Sequence, residues 1–273
     1  MGHTTQRLPT FFLSHGGGPW PWLDGPVRDK FDQLETHLVG LLDDLQQPPR
    51  TILVVTSHWE TRDFMVSSGC QPGMIYDYGG FPEHTYHVTY QAPGDPELAA
   101  QARTLLQAGG FPCAADDARG FDHGTFSLMQ VIRPQADIPV VQLSIRKDYD
   151  PVTHFEAGRS LAPLRDEGVL IIGSGLSYHN LRAFGAAGAE ASAKFDHWLS
   201  STLLNSPADE WRSNLSRWES APAARACHPS EDHLVPLFVV AGASAGDAAS
   251  RPYHEERFFD GLSVSSFGFG VDA

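Results

Sequence analysis

Three apolar runs in this chain finish the same way. FFLSH (residues 11–15), ILVVTSHWE (52–60) and VLIIGSGLSYHN (169–180) each pass from large aliphatic or aromatic residues to serine and histidine. With PVVQL at 139–143, the runs TFFL (10–13), TILVVT (51–56) and GVLII (168–172) lack the polar alternation of a strand with one wet face. Continuous runs of this length suit strands buried on both faces, and such strands belong to parallel sheets covered by helices. The stretches between them have helical spacing. Val27, Phe31, Leu34, Leu38, Leu41, Leu42 and Leu45 mark a helix within 26–45,. Asp95-Pro96-Glu97 reads as an N-cap followed by proline at the first helical position, opening a helix over 95–108,. Residues 152–165 and 188–204 also predict helices. The expected fold is therefore α/β: one three-layer α/β/α sandwich with a largely parallel or mixed central sheet, spanning residues 1–273 as a single domain. Residues 69–95, rich in Gly, Pro and Tyr, predict one long ordered loop of the functional kind,.

Ligands of open α/β sheets bind just beyond the carboxyl ends of the strands. His15, His58 and His179 fall there, so three imidazoles far apart in sequence can converge on one crevice. Imidazole is the commonest metal-ligating side chain, which makes such a cluster a candidate metal site. HPSEDH (228–233) is a second dense patch. Ser230 predicts a helix cap with Glu231 and Asp232 in the first turn, where acids are favoured. His233 gains nothing from the positive end of a helix dipole and is a further candidate ligand. His123, between Asp122 and Gly124 ahead of an apolar helix, is either a turn residue or a hydrogen-bonding group near the site. His84 and His87 sit in the long loop and could line a pocket. His3, His37, His154, His197 and His254 have no special setting and are expected at the surface.

Several classes are disfavoured. The chain has a net charge of −14 and no basic stripe, against a nucleic-acid partner,. No apolar run nears the roughly 20 residues of a membrane helix, and no signal peptide is visible, which predicts a soluble, cytoplasmic protein. Its three cysteines, Cys70, Cys113 and Cys227, have neither disulfide-framework nor zinc-finger spacing,. HGGGP lacks GK[ST] and is no phosphate loop; its glycines suggest close approach of backbone to a bound metal or ligand. GSGLS does not place a serine as a nucleophile elbow requires, and HExxH is absent.

SHGGGP, TSHWE, YDYGGFPEHTY, DHGTF, GSGLSYHNL and HPSEDHLVPLFVVAGA together resemble the class III extradiol ring-cleavage dioxygenases. The branch they are most similar to is that of the 4,5-DOPA dioxygenases of bacteria and betalain-making plants. The match covers nearly the whole chain, in the same order and spacing. The resemblance implies an oxidoreductase of aromatic-compound breakdown that uses non-haem Fe²⁺ and incorporates both atoms of O₂ into a catechol, DOPA-like or related, to give a muconic semialdehyde. It places the metal on His15, His58 and His233, the last standing where protocatechuate-type members have glutamate. Three neutral imidazoles would leave the site at +2 and should also accept Zn²⁺, so zinc can take the place of iron in purified protein. The base position falls on His179, which would take a phenolic proton, and the second catalytic histidine on His123. Tyr78 and Phe81 of the aromatic loop, along with Tyr76 and Tyr86, are expected over the ring, and His228 is a further candidate substrate contact. The expected partners are a small catechol and O₂; a homo-oligomer is compatible with this reading. The alternative from another class is a zinc hydrolase using the same imidazoles to activate water.

Overall fold

The apolar runs form the middle of an eight-stranded sheet. The structure, a computed structural model, describes residues 7–271. Its strands are β1 (Thr10–Ser14), β2 (Thr51–Thr61), β3 (Phe64–Ser67), β4 (Cys113–Asp116), β5 (Val140–Arg146), β6 (Val169–Gly175), β7 (Ala249–Phe258) and β8 (Leu262–Phe269), in the order β4-β3-β5-β2-β6-β1-β8-β7. β5-β2-β6-β1 are mutually parallel and buried along nearly their whole length, as the unbroken hydrophobicity demands,. β3 pairs antiparallel with β5, and β8 antiparallel with β1 and β7, so the sheet is mixed.

Helices cover both faces. They are α1 (Pro26–Asp29), α2 (Asp32–Val39), α3 (Pro96–Ala108), α4 (His123–Ile132), α5 (Pro151–Leu161), α6 (Ala189–Leu204), α7 (Trp211–Leu215), α8 (Ala224–Cys227) and α9 (Val235–Ala243). Successive residues of β6 identify the two layers. Gly173 lies against the Pro236 carbonyl of α9, while the Ser174 hydroxyl donates to the Gly124 carbonyl of α4 at 2.6 Å. α3 and α5 pack in the α9 layer, α2 in the α4 layer, and α6 on β7 and β8. Asp95 caps α3 with Pro96 at its first position, as predicted. No helix among the described residues is long and apolar enough to cross a membrane.

Four expectations need correction. The 26–45 helix is broken at Lys30–Phe31, which turns Val27 out to 53 % exposure. Ser230 caps nothing: α9 begins later, at Val235, and Glu231 pairs instead with Arg225 at 2.7 Å. His154 is fully buried rather than at the surface, donating from Nδ1 to the Asp150 carbonyl (2.7 Å) and accepting at Nε2 from the Arg146 N–H (3.0 Å). His37 is half-buried, stacked on Tyr253, while His3 lies outside the described residues. The 69–95 segment is irregular apart from a 3₁₀ turn at Glu83–His87, and is pinned by Tyr76 and Tyr78 hydroxyls donating to the Val88 and Thr85 carbonyls.

Candidate active site

His15 follows β1 directly and still donates its backbone N–H to Gly175 of β6. Gly16 follows at φ +79°, and a Cβ there would come within 2.4 Å of the Trp20 indole nitrogen, which donates to the His15 carbonyl at 2.9 Å. The first HGGGP glycine therefore admits an aromatic buttress, not a metal. His58 is not past the end of β2. The β2–β5 register jumps between Val55 and Glu60, and the bulge carries Ser57 and His58. Bulges of this kind re-aim side chains beside active sites. The Thr56 hydroxyl fixes the bulge by accepting from the His58 N–H (3.2 Å) and donating to buried Asp122 (2.8 Å). Arg119 clamps it from the other side, donating to the His58 carbonyl (3.2 Å) and to Asp122 (2.8 Å) while lying over the Trp59 ring. Asp122 also caps α4, and so sets His123 as that helix's first residue.

The rings of His15, His58 and His233 form a near-equilateral triangle, with centroids 5.0, 5.2 and 4.9 Å apart. One ligand nitrogen from each lies within 4.8 Å of the others. Nδ1 of His15 and Nε2 of His58 are buried without a hydrogen-bond partner. Buried polar atoms are normally satisfied, so unpaired imidazole nitrogens facing one another are what a metal cradle requires. Burial, reinforced by the neighbouring imidazoles, lowers all three pKa values, that of His58 to about 3. The rings are therefore neutral at pH 7 with lone pairs available. The donor set fits a divalent transition ion.

Two carboxylates that the sequence reading did not assign flank this triangle. Asp77 accepts from His123 Nδ1 (2.8 Å) and the His123 N–H (3.0 Å), and stands 3.3 Å from His58 Nδ1. Burial is the largest single influence and works against its ionisation, but the side-chain and backbone hydrogen bonds from His123, together with the electrostatic pull of His123 and His58, outweigh it and hold the carboxyl below its ordinary value. Asp232 accepts from His233 Nδ1 at 2.6 Å and lies 3.9 Å from His179 Nδ1. Carboxylates behind ligating histidines fix the tautomer and raise ligand basicity. The two negative charges also offset the +2 that three bare imidazoles would leave. Asp232 was read as a helix-capping acid; its adjacency to His233 was the available signal. Asp77 carries no signal beyond its place in the aromatic loop.

His179 stacks on His233 with centroids 3.4 Å apart, and His123 leans on His58 at 3.9 Å. Burial lowers the His179 pKa, although Asp232 opposes this. A cavity of about 700 Å³ opens over the five histidines, with Tyr78 and Phe81 in its wall. Tyr76 and Tyr86 stand behind them, and neither His84 nor His87 lines it: both are exposed, His84 facing the Trp22 carbonyl and His87 facing Glu83. His228 is also outside the wall. It is fully buried beside Phe195 and Trp218, with Nε2 donating to the Ser177 carbonyl at 3.0 Å, which removes it from substrate contact.

Residues 9–270 match the family model described as the catalytic LigB subunit of aromatic ring-opening dioxygenase. A dioxygenase, tasH, of Hapsidospora irregularis is 37 % identical over 96 % of this chain and 85 % of its own length. The 4,5-DOPA dioxygenase extradiol of Beta vulgaris is 36 % identical over 98 % of this chain and 99 % of its own. The crystal structure of an uncharacterized Escherichia coli K12 protein superposes with a TM-score of 0.75 at 30 % identity, covering 97 % of this chain and all of that one.

Proposed function

Because this chain belongs to the LigB family of aromatic ring-opening dioxygenases and is an extradiol ring-cleavage enzyme, we propose that it opens a catechol, DOPA-like or related, to a muconic semialdehyde, using Fe²⁺ held by His15, His58 and His233. The observation carrying this reading is the triangle of neutral imidazoles with buried, unpaired nitrogens. The proposed unit of activity is one catalytic domain over residues 1–273, acting in the cytoplasm.

Bound there, ferrous iron would supply chelation of both catechol oxygens and the redox chemistry that admits O₂. The remaining work falls to the protein. His179 is neutral at pH 7 because burial lowers its pKa, so it can take a phenolic proton. Asp232, 3.9 Å away, steadies the imidazolium that results,. His123, its Nδ1 proton held by Asp77, keeps Nε2 for the substrate side of the cavity. The Tyr78 hydroxyl is spent on Thr85, so its ring is what it offers, packing against Phe81 at 5.4 Å to wall off water,.

The test is anaerobic loading with Fe²⁺, followed by oxygen-electrode assay on DOPA, protocatechuate, gallate and simple catechols. Oxygen uptake with a yellow ring-opened product is expected. Metal-loaded protein that consumes no O₂ but hydrolyses esters or amides with Zn²⁺ would establish the hydrolase reading instead.

A further inference from the structure

The cavity is two-faced in its chemistry. Its floor is histidine and carboxylate. Its mouth is built from Val27, Phe31, Leu181, Phe184, Phe258 and Phe259. Leu181 is 71 % exposed and Phe184 37 %, a degree of exposure for clustered large apolar side chains that marks binding surface rather than ordinary exterior,. The mouth is also ordered. Phe259 packs at 4.9 Å from Phe184, 5.2 Å from Phe31 and 4.8 Å from Phe258. It sits at φ +48° in the β7–β8 turn, followed by Asp260 at +69°, with the Gly261 N–H donating to the Phe258 carbonyl at 3.2 Å. Two successive positive φ values define a type I′ turn, whose usual residues are Asn and Gly. A phenylalanine there is strained and persists where the surroundings hold it.

Among the described residues, no Lys or Arg lines this cavity; its charged members besides histidine are Glu60, Asp77 and Asp232. Within the wall a substrate carboxylate would meet apolar rings and no Lys or Arg: Lys30, beside Phe31, is paired with Asp260, and Arg182 is exposed outside the lining. The volume of about 700 Å³ lies well inside the roughly 300–1,000 Å³ typical of pockets for drug-sized ligands, which leaves room beyond a single ring.

Resting on the dioxygenase reading above and narrowing its range of catechols, we propose that the preferred substrate is a catechol carrying an uncharged, apolar substituent, which the aromatic mouth around Phe259 receives, ahead of DOPA and other catechols bearing a carboxylate or an amino-acid side chain.

The test uses full-length protein loaded with redox-inert Zn²⁺ and measures affinity by calorimetry for catechol, 4-methyl-, 4-ethyl-, 4-propyl- and 4-butylcatechol, protocatechuate, DOPA and dopamine. Affinity should rise roughly fourfold per added carbon over the alkyl series, with protocatechuate, DOPA and dopamine no tighter than catechol. Phe259→Gly, which the turn accepts without strain, should at least halve the gain per carbon. Leu181→Lys, at an exposed position, should improve protocatechuate about tenfold relative to 4-butylcatechol. A flat alkyl series, or protocatechuate, DOPA or dopamine binding tighter than 4-butylcatechol, overturns the proposal. Oxygen uptake by the Fe²⁺-loaded enzyme separates the two failures. Uptake with a flat series removes this inference alone, whereas no catechol binding and no uptake removes the dioxygenase reading with it.

Discussion

His179 and His233 stack face to face and share Asp232, yet the proposed mechanism gives them different work. The difference is testable by substitution. His15→Ala, His58→Ala and His233→Ala each delete one of the three proposed ligands, so metal content by atomic emission should fall sharply in all three. His179→Gln keeps a hydrogen-bonding group but cannot accept a proton at neutral pH. It should retain most of the metal while turnover drops about 10²–10⁴-fold. Metal lost from His179→Gln to the same extent as from His15→Ala would make His179 a ligand and leave His123 as the candidate base. A second prediction concerns His154, which does not line the histidine cavity. Its two hydrogen bonds require the neutral ring, and burial pushes its pKa down to about 4. The unfolded chain titrates near 6.5, so between these values it binds more protons than the folded one, and stability is lost as pH falls. Between pH 7.5 and 5 this group alone should remove about 2 kcal/mol. His154→Gln should show a correspondingly shallower decline in urea-unfolding free energy; identical slopes would refute the assignment.

At the scale of elements, the start of α4 and the β2 bulge form one device. A Cβ on Gly124 would lie 2.8 Å from His58 Cδ2 and 3.2 Å from the Thr56 hydroxyl, so α4 and the bulge meet there without room for a methyl group. Gly124→Ala should therefore displace His58 and cost about 10–100-fold in kcat. Alanine's helix preference, up to about 1 kcal/mol over glycine, should offset much of the stability loss, so circular-dichroism melting should move by only a few degrees. A large fall in Tm with unchanged kcat would contradict this geometry. The bulge was invisible in the sequence, because TSHWE reads like the end of a strand, whereas β2 runs on to Thr61. The central strands were legible because burial on both faces leaves an unbroken apolar run. β7 and β8 were not. ASRPYHEERF is a polar edge strand, and LSVSSFGF, though fully buried, fills its positions with serine and glycine. Ser265 shows why these are tolerated: its N–H donates to the Ser177 hydroxyl at 2.9 Å and its own hydroxyl donates to Asp196 at 2.6 Å. Of the proposed ligands, His15 and His58 were legible because an apolar run leads straight into each, and His233 from the dense HPSEDH patch. Asp77 was not, since it reaches the site only through loop packing, and His228 misled because a histidine satisfied by a buried carbonyl looks the same in sequence as one lining a pocket.

For the whole molecule, the site joins the start of the chain to its end. His15 lies against the first strand, His58 in the second, and His233 ahead of the last helix. An ion that binds only the folded state stabilises it by mass action, about 2.7 kcal/mol at a free concentration of 100 Kd. Calorimetric melting of the apo-protein with and without Zn²⁺ should show a Tm rise in this sense, reversed by chelator; a Tm unmoved by saturating metal would mean the triangle does not bind it. The same separation in sequence has a consequence for biosynthesis. While the chain is emerging from the ribosome, His15 and His58 can present at most two nitrogens, and the third arrives only once residue 233 is outside and the sheet has closed. On the proposed ligand set, metal selection would follow translation and be decided by whichever ion the surroundings offer as folding finishes, so that the same polypeptide made under zinc-rich or iron-rich growth would leave the ribosome identical and become two different proteins.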